Sequence, residues 1–541
     1  MEKIVCFVNR PPKNLLIMTV DACCSSARQA PSLPLLRLLL RASYVFAFFS
    51  IALISFDAFP YKIVGGFHPR LTYVVSLLGF ICYVFSGQWK REFGRHRMLL
   101  CIAGAFLLYG LIATSLSVSL HGGRGLLTFT LLNYLERQIV PVGFMLWYAF
   151  LFSSLPEDSA RKFFIAALMI MFFSNAAHMI LELSANYGAV EIKNLLIAAN
   201  PWFRVENAHW GNWPPPYYEN RVRGLFGEPA HMAYAFTPVL AFFFYKLQRY
   251  AVYLLPLLFV VIVYCGKGTS TGTGVLSLGF LSMAFIVHMC YKRWAGRGAI
   301  LVAACMLAAF LAVLHMERDR LFGYAAQWRT LDAIADYCRR AQTDPSLPPP
   351  ALESRDFSRF FFRAISTRLE WDIARQYPFG IGYQLSGEYR KPLAVWGESD
   401  IAGLLRVRFA LANQRDPVLV FPYFCEYTAM AAELGVIALA FFFLLCLYVG
   451  LRAYRRYRET GDSFILYMLL ALPAFLLMLL SFSLRTGLML HYFLGFLYSL
   501  GLNRHCASAP VSAGESSGAF SSFAVKARSV AATPCIRSGG E

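Results

Sequence analysis

The chain has 541 residues, of which 58% are hydrophobic and only 15% charged. A water-soluble protein of this size carries nearer a quarter charged residues, so an ordinary soluble enzyme is excluded. The formal net charge of +19 raises a nucleic-acid partner, but the basic residues sit mostly in short segments between apolar runs, where the positive-inside bias of membrane proteins accounts for them without nucleic acid. Thirteen cysteines are scattered without a CxxC pair, which argues against a disulfide scaffold or a zinc site.

Residues 1–34 carry several Lys, Arg and Pro and read as a cytoplasmic tail; the apolar stretch at 15–20 is too short for a signal peptide. Beyond it, apolar runs recur at about the 17–25 residues that cross a bilayer. Twelve spans are predicted, at 38–56, 71–87, 98–116, 138–152, 163–183, 231–245, 253–265, 275–290, 300–315, 424–450, 464–482 and 488–502. The fold class is therefore an all-α polytopic membrane protein. Spans one to nine fall within 35–315 and the last three within 424–503.

Alternate connections are short and basic: Lys90, Arg91, Arg95 and Arg97; Arg161 and Lys162; Lys246 and Arg249; Lys292, Arg293 and Arg297; Arg452, Arg455, Arg456 and Arg458. These are placed in the cytoplasm, with both termini. The opposite face then holds the loop at 184–227 and the large loop at 316–423. The tail at 504–541 is rich in Ser, Ala and Gly and is read as disordered. Within the large loop, 321–340 and 355–376 read as helices separated by Pro345–Pro350. Arg355, Arg359 and Arg363 share one face of the second, and its phenylalanines suit a helix lying along the membrane interface.

The densest chemistry is the stretch Asn220 to Ala233, NRVRGLFGEPAHMA. Arg221 and Arg223 alternate, so an extended strand aims both the same way. Gly224 and Gly227 permit a tight turn, and Pro229 suits the first turn of the helix that follows. Arg137, Arg368, Arg375 and Arg485 are expected on the same external side. Arginine stays charged and presents a planar fork of donors that matches phosphate oxygens, so the group suits a lipid-linked phosphate or pyrophosphate. Simpler roles stand beside this one. Arg221 and Arg223 also fit interfacial anchors, Glu228 a partner for one of them, and Arg137 a partner for Glu136. Arg368, Asp372 and Arg375 fit a surface salt-bridge set, and His231 a polar group at a membrane mouth as well as a base. The Gly-rich run from Gly266 to Gly274 lacks the GK[ST] order of a phosphate loop and reads as a tight turn between spans.

Three islands, taken in order, carry a resemblance. Arg221-Val-Arg223-Gly-Leu-Phe-Gly-Glu228-Pro229 comes first. Arg368-Leu-Glu-Trp-Asp372-Ile-Ala-Arg375-Gln-Tyr-Pro-Phe-Gly380-Ile-Gly382 follows, then Glu433-Leu-Gly435. Together they resemble the O-antigen polymerase and O-antigen ligase superfamily of bacterial envelope glycosyltransferases, over most of residues 71–500. The resemblance implies a GT-C-like fold in the bacterial inner membrane, without a metal, a nucleotide-sugar site or any other cofactor. The implied donor is an oligosaccharide on undecaprenyl pyrophosphate, loaded from the periplasm. Arg221, Arg223, Arg368, Arg375 and Arg137 would hold the pyrophosphate, in contact with membrane lipids and with a chain-length regulator as an accessory partner.

Ligases of the family place a His-Asn pair shortly before Glu-x-Gly. The corresponding positions here are near Phe424-Cys425, followed by Glu426. This departure favours polymerisation of repeat units over ligation to lipid A-core and leaves the base to Glu228, Glu426 or Asp372. A ligase or protein O-oligosaccharyltransferase is the alternative within the family. A transporter or lipid-linked-oligosaccharide flippase is the alternative outside it, although the two halves show no internal repeat.

Overall fold

A computed structural model describes residues 34–55, 71–121, 130–203, 222–226, 229–265, 272–293, 359–383, 385–386, 425–480 and 488–502, with a few single positions between 336 and 346. Among the described residues the elements are helical. In chain order they are α1 (Pro34–Ala52), α2 (Leu71–Phe85), the short α3 (Gln88–Glu92), α4 (Arg97–His121), α5 (Val140–Ser153), α6 (Glu157–Asn186) and α7 (Val190–Phe203). They continue with α8 (Pro229–Leu247), α9 (Leu254–Cys265), α10 (Gly272–Arg293), α11 (Arg359–Gln376), α12 (Glu426–Glu433), α13 (Val436–Thr460), α14 (Ser463–Met478) and α15 (Met489–Leu502).

Among the described residues four segments are both long and apolar enough to cross a membrane: Pro34–Ala52, Gln88–Ser117, Glu157–Asn186 and Val436–Thr460. Shorter apolar helices pack with them. The chain is thus a helical membrane protein. The expected ninth span and the helix at 321–340 lie outside the described residues or nearly so. Helix α7, inside the loop at 184–227, was not expected.

Helices α5 and α15 form the centre, and nearly every side chain on both is buried. Lipid tails are as apolar as leucine, so membrane helices associate through close backbone approach and interhelical hydrogen bonds rather than through the hydrophobic effect. Both devices operate here. A Cβ on Gly495 would lie 2.5 Å from the Met145 carbonyl oxygen, and one on Gly79 would strike the Trp147 ring. Serine–aromatic bonds then fasten α1 and α2 to this centre. Trp147 Nε1–H donates to Ser43 Oγ at 2.9 Å. The hydroxyls of Ser50 and Tyr148 lie 2.7 Å apart, and those of Ser76 and Tyr492 2.6 Å apart. Around the centre, α13 packs on α15 and α4, α6 on α1, and α8 on α14 and α10.

Two irregularities shape the region of interest. Before α5 the helix passes through a π turn, Leu135–Ile139, in which Val140 N–H donates to the Leu135 carbonyl. Pro141 explains it: without an N–H it cannot bond the Arg137 carbonyl four residues back. The predicted tenth span at 424–450 is not continuous either. It breaks at Leu434–Gly435 into α12 and α13, with Gly435 at φ 90°.

Candidate functional site

The first island is a turn pinned to the side of α6. Asn175, His178 and Glu182 fall at i, i+3 and i+7 on that helix and share one face. Glu182 Oε2 accepts the backbone N–H of Arg223 at 3.0 Å and of Gly224 at 2.8 Å. Asn175 Oδ1 accepts Leu225 N–H at 3.0 Å. Phe226 N–H closes the turn on the Arg223 carbonyl at 3.3 Å. Gly224 has φ 62°, and a Cβ there would meet Asn175 Oδ1 at 2.8 Å, so both conformation and space call for glycine. Arg223 is 1% exposed. Its Nε is 4.0 Å from Glu182 Oε1, which also faces His178 Nδ1 at 3.7 Å. The buried guanidinium thus sits beside a carboxylate that simultaneously organises its backbone. Arg221 and Glu228 lie outside the described residues; His231 is half-buried in the first turn of α8.

The second and third islands are in direct contact. Ile381 N–H donates to the Ala432 carbonyl at 3.0 Å, Gly382 N–H to Glu433 at 2.8 Å, and Val436 N–H to Pro378 at 2.9 Å. The Pro-x-Gly-x-Gly loop is therefore laid across the break between α12 and α13. A Cβ on Gly380 would be 2.5 Å from the Glu433 carbonyl oxygen, and one on Gly435 would be 2.6 Å from the Phe379 carbonyl carbon. Each glycine makes room for the other strand. Ser386 Oγ–H donates to the fully buried Glu433 carboxylate at 2.8 Å. From α12, Thr428 donates to the buried Glu370 of α11 at 2.5 Å. These contacts fix α11, which carries Arg368 and Arg375. Arg368 Nε lies 3.5 Å from Asp372 Oδ2. Arg375 is exposed, with its Cζ 5.8 Å from the centroid of the Trp371 ring.

The remaining candidates stand around this assembly. Arg137 is half-buried on the π turn, three residues after Tyr134, whose ring meets that of Tyr383 edge-on at 5.6 Å. Glu426 is buried in the first turn of α12. Its N–H donates to the Leu479 carbonyl at 3.0 Å. Arg485 lies outside the described residues.

Sequence reasoning passed over Glu182, Asn175 and Glu370. A signal existed for the first two: an acid, a histidine and an amide at helical spacing inside an apolar run. Among the described residues no group of three or more His, Cys, Asp and Glu side chains is placed to hold a metal ion. No family model matches the chain, and no curated protein matches it.

Proposed function

We propose that the chain is a polysaccharide polymerase of the bacterial inner membrane. It would transfer a glycan from undecaprenyl pyrophosphate to the acceptor sugar of a second lipid-linked repeat unit, at the periplasmic face. The observation that carries this reading is the docking of the Pro378–Gly382 loop onto Glu433-Leu-Gly435, with Arg368 on the helix that leads into it. Two islands that resemble one family's motifs, some fifty residues apart in sequence, are in this way one physical unit.

In the proposed step an acceptor hydroxyl oxygen attacks the anomeric carbon of the donor. The bond from that carbon to the pyrophosphate oxygen breaks, and undecaprenyl pyrophosphate leaves with the bonding electrons. The hydroxyl proton passes to a carboxylate, for which Glu228, Glu426 and Asp372 are the candidates. Arg221, Arg223, Arg368 and Arg137 would stabilise the charge that develops on the leaving group, the kind of preorganised electrostatic effect that supplies much of an enzyme's rate enhancement. Arg375, on the same helix as Arg368, is exposed over the Trp371 ring.

The test is in cells. Arg221→Ala, Arg223→Ala and Arg368→Ala are expected to abolish long chains and leave single repeat units on the carrier, while the Arg221 and Arg368 variants still insert at normal levels. Chains of wild-type length in all three would remove the assignment. Accumulation of full-length polymer on the carrier after deletion of the gene would instead identify a ligase. Solute uptake into proteoliposomes without glycan product would identify a transporter.

A further inference from the structure

The loop 377–382 is non-helical backbone lying against two of the helices long enough to cross a bilayer. On the α4 side, the Tyr109 hydroxyl donates to the Phe379 carbonyl at 3.3 Å and the Ser117 hydroxyl to the Gly380 carbonyl at 3.3 Å. Tyr383 N–H donates to Thr114 Oγ1 at 3.3 Å. On the other side stand the bonds to Ala432, Glu433 and Val436. Irregular backbone is tolerated at membrane depth only where protein satisfies its polar groups, as these contacts do.

The level of the loop can be read from its neighbours. Tyr109 to Ser117 covers about 12 Å of helix rise. Over that interval α4 exposes Leu108, Ile112 and Leu116, at 59%, 48% and 60%, an outward apolar stripe at i, i+4 and i+8. The first turn of α13 exposes Val436 and Ile437. Phe379, 68% exposed, therefore stands beside surface that faces lipid. Eight and two residues before it, on α11 and just past its end, Trp371 and Tyr377 are also exposed, and Arg375 lies over Trp371. An aromatic ring with an arginine stacked on it is the composition of a membrane interface, where the ring bridges apolar and polar layers and the guanidinium reaches phosphate.

We propose that the surface formed by Trp371, Arg375 and Phe379 is a phospholipid-binding wedge. Phe379 enters the acyl chains of the adjoining leaflet, and the Arg375–Trp371 pair takes a lipid phosphate. The wedge is rigid because Gly380 and Gly435 lock its loop to the head of α13. This inference rests on α4 and α13 crossing the bilayer and is independent of glycosyl transfer.

The full-length protein is reconstituted into phosphatidylcholine–phosphatidylglycerol vesicles whose acyl chains are brominated at shallow or deep carbons. Emission from Trp371 is obtained as wild type minus Trp371→Phe; Phe379→Trp in the Trp371→Phe background supplies a second reporter. Trp371 is expected to be quenched most by shallow bromines and the residue-379 reporter most by deep ones, with both shielded from aqueous acrylamide. Arg375→Gln is expected to lower shallow quenching of Trp371 at least about two-fold. Quenching of both reporters by acrylamide and by neither lipid would overturn the wedge. Unchanged quenching in Arg375→Gln would overturn the phosphate contact.

Discussion

Glu182 does three things with one carboxylate: it accepts two successive backbone N–H groups, faces the Arg223 guanidinium, and lies near His178. Removing it would take a carboxylate from beside a buried cation and the shared acceptor from two amide donors. Breaking one side of a buried pair costs roughly 3–5 kcal/mol. Glu182→Ala is accordingly expected to lower stability by about 3 kcal/mol in thermal or denaturant unfolding in detergent, whereas Glu182→Gln, which keeps an acceptor, costs less. The double variant Glu182→Ala/Arg223→Ala should lose at least about 1 kcal/mol less than the sum of the single losses. Simple additivity would separate the two residues. The triplet Asn175, His178 and Glu182 is visible in sequence as a polar face on an apolar helix. Its partner is not, because Arg223 lies 41 positions away from Glu182 and no periodicity links a span to a turn.

The break between α12 and α13 shows the same limit in a larger unit. The run from 424 to 450, apolar apart from Glu426 and Glu433, reads as one span, and Gly435 alone does not announce a stop. What ends α12 is a second piece of chain: the Pro378 carbonyl takes Val436 N–H, and the Phe379 backbone fills the space a side chain at 435 would need. Gly435→Ala meets both a positive φ and a contact of 2.6 Å. It is expected to destabilise by about 2 kcal/mol or more and to expose the 377–382 loop to limited proteolysis. Gly104→Ala, in α4 with nothing within 4 Å of the added carbon, is the control and should be neutral or stabilising by up to about 1 kcal/mol. Equal behaviour of the two variants would show that the loop does not lean on the break. Within α11 the reading from sequence is closer: a helix expected at 355–376 is described from Arg359 to Gln376, because its Arg–Asp spacing and the Pro-x-Gly stop are local signals.

For the chain as a whole, the proposed orientation puts the basic connections inside and the loop at 184–227 outside. One of those basic corners is knitted across the bundle. Arg161 pairs with Glu157 and Asp462, and Arg456 Nη2 meets Glu157 at 3.0 Å, tying the start of α6 to the turn between α13 and α14. Alkaline phosphatase fused at Asn207 should be active, and green fluorescent protein fused after Glu459 should fluoresce. Activity or fluorescence on the reversed sides would invert the topology and place the arginine islands in the cytoplasm. The helical membrane class, the approximate ends of most helices and the basic corners follow from apolar run length and charge placement, which are properties of contiguous chain. Partner choice does not follow from them. The seating of Glu182 beneath the Arg223 turn, the meeting of Pro378–Gly382 with Glu433–Gly435, and the edge-on contact of Tyr134 with Tyr383 depend on groups far apart in sequence. Within an apolar bundle every buried N–H and C=O must find an acceptor or donor, and where it finds one is decided only when the helices pack.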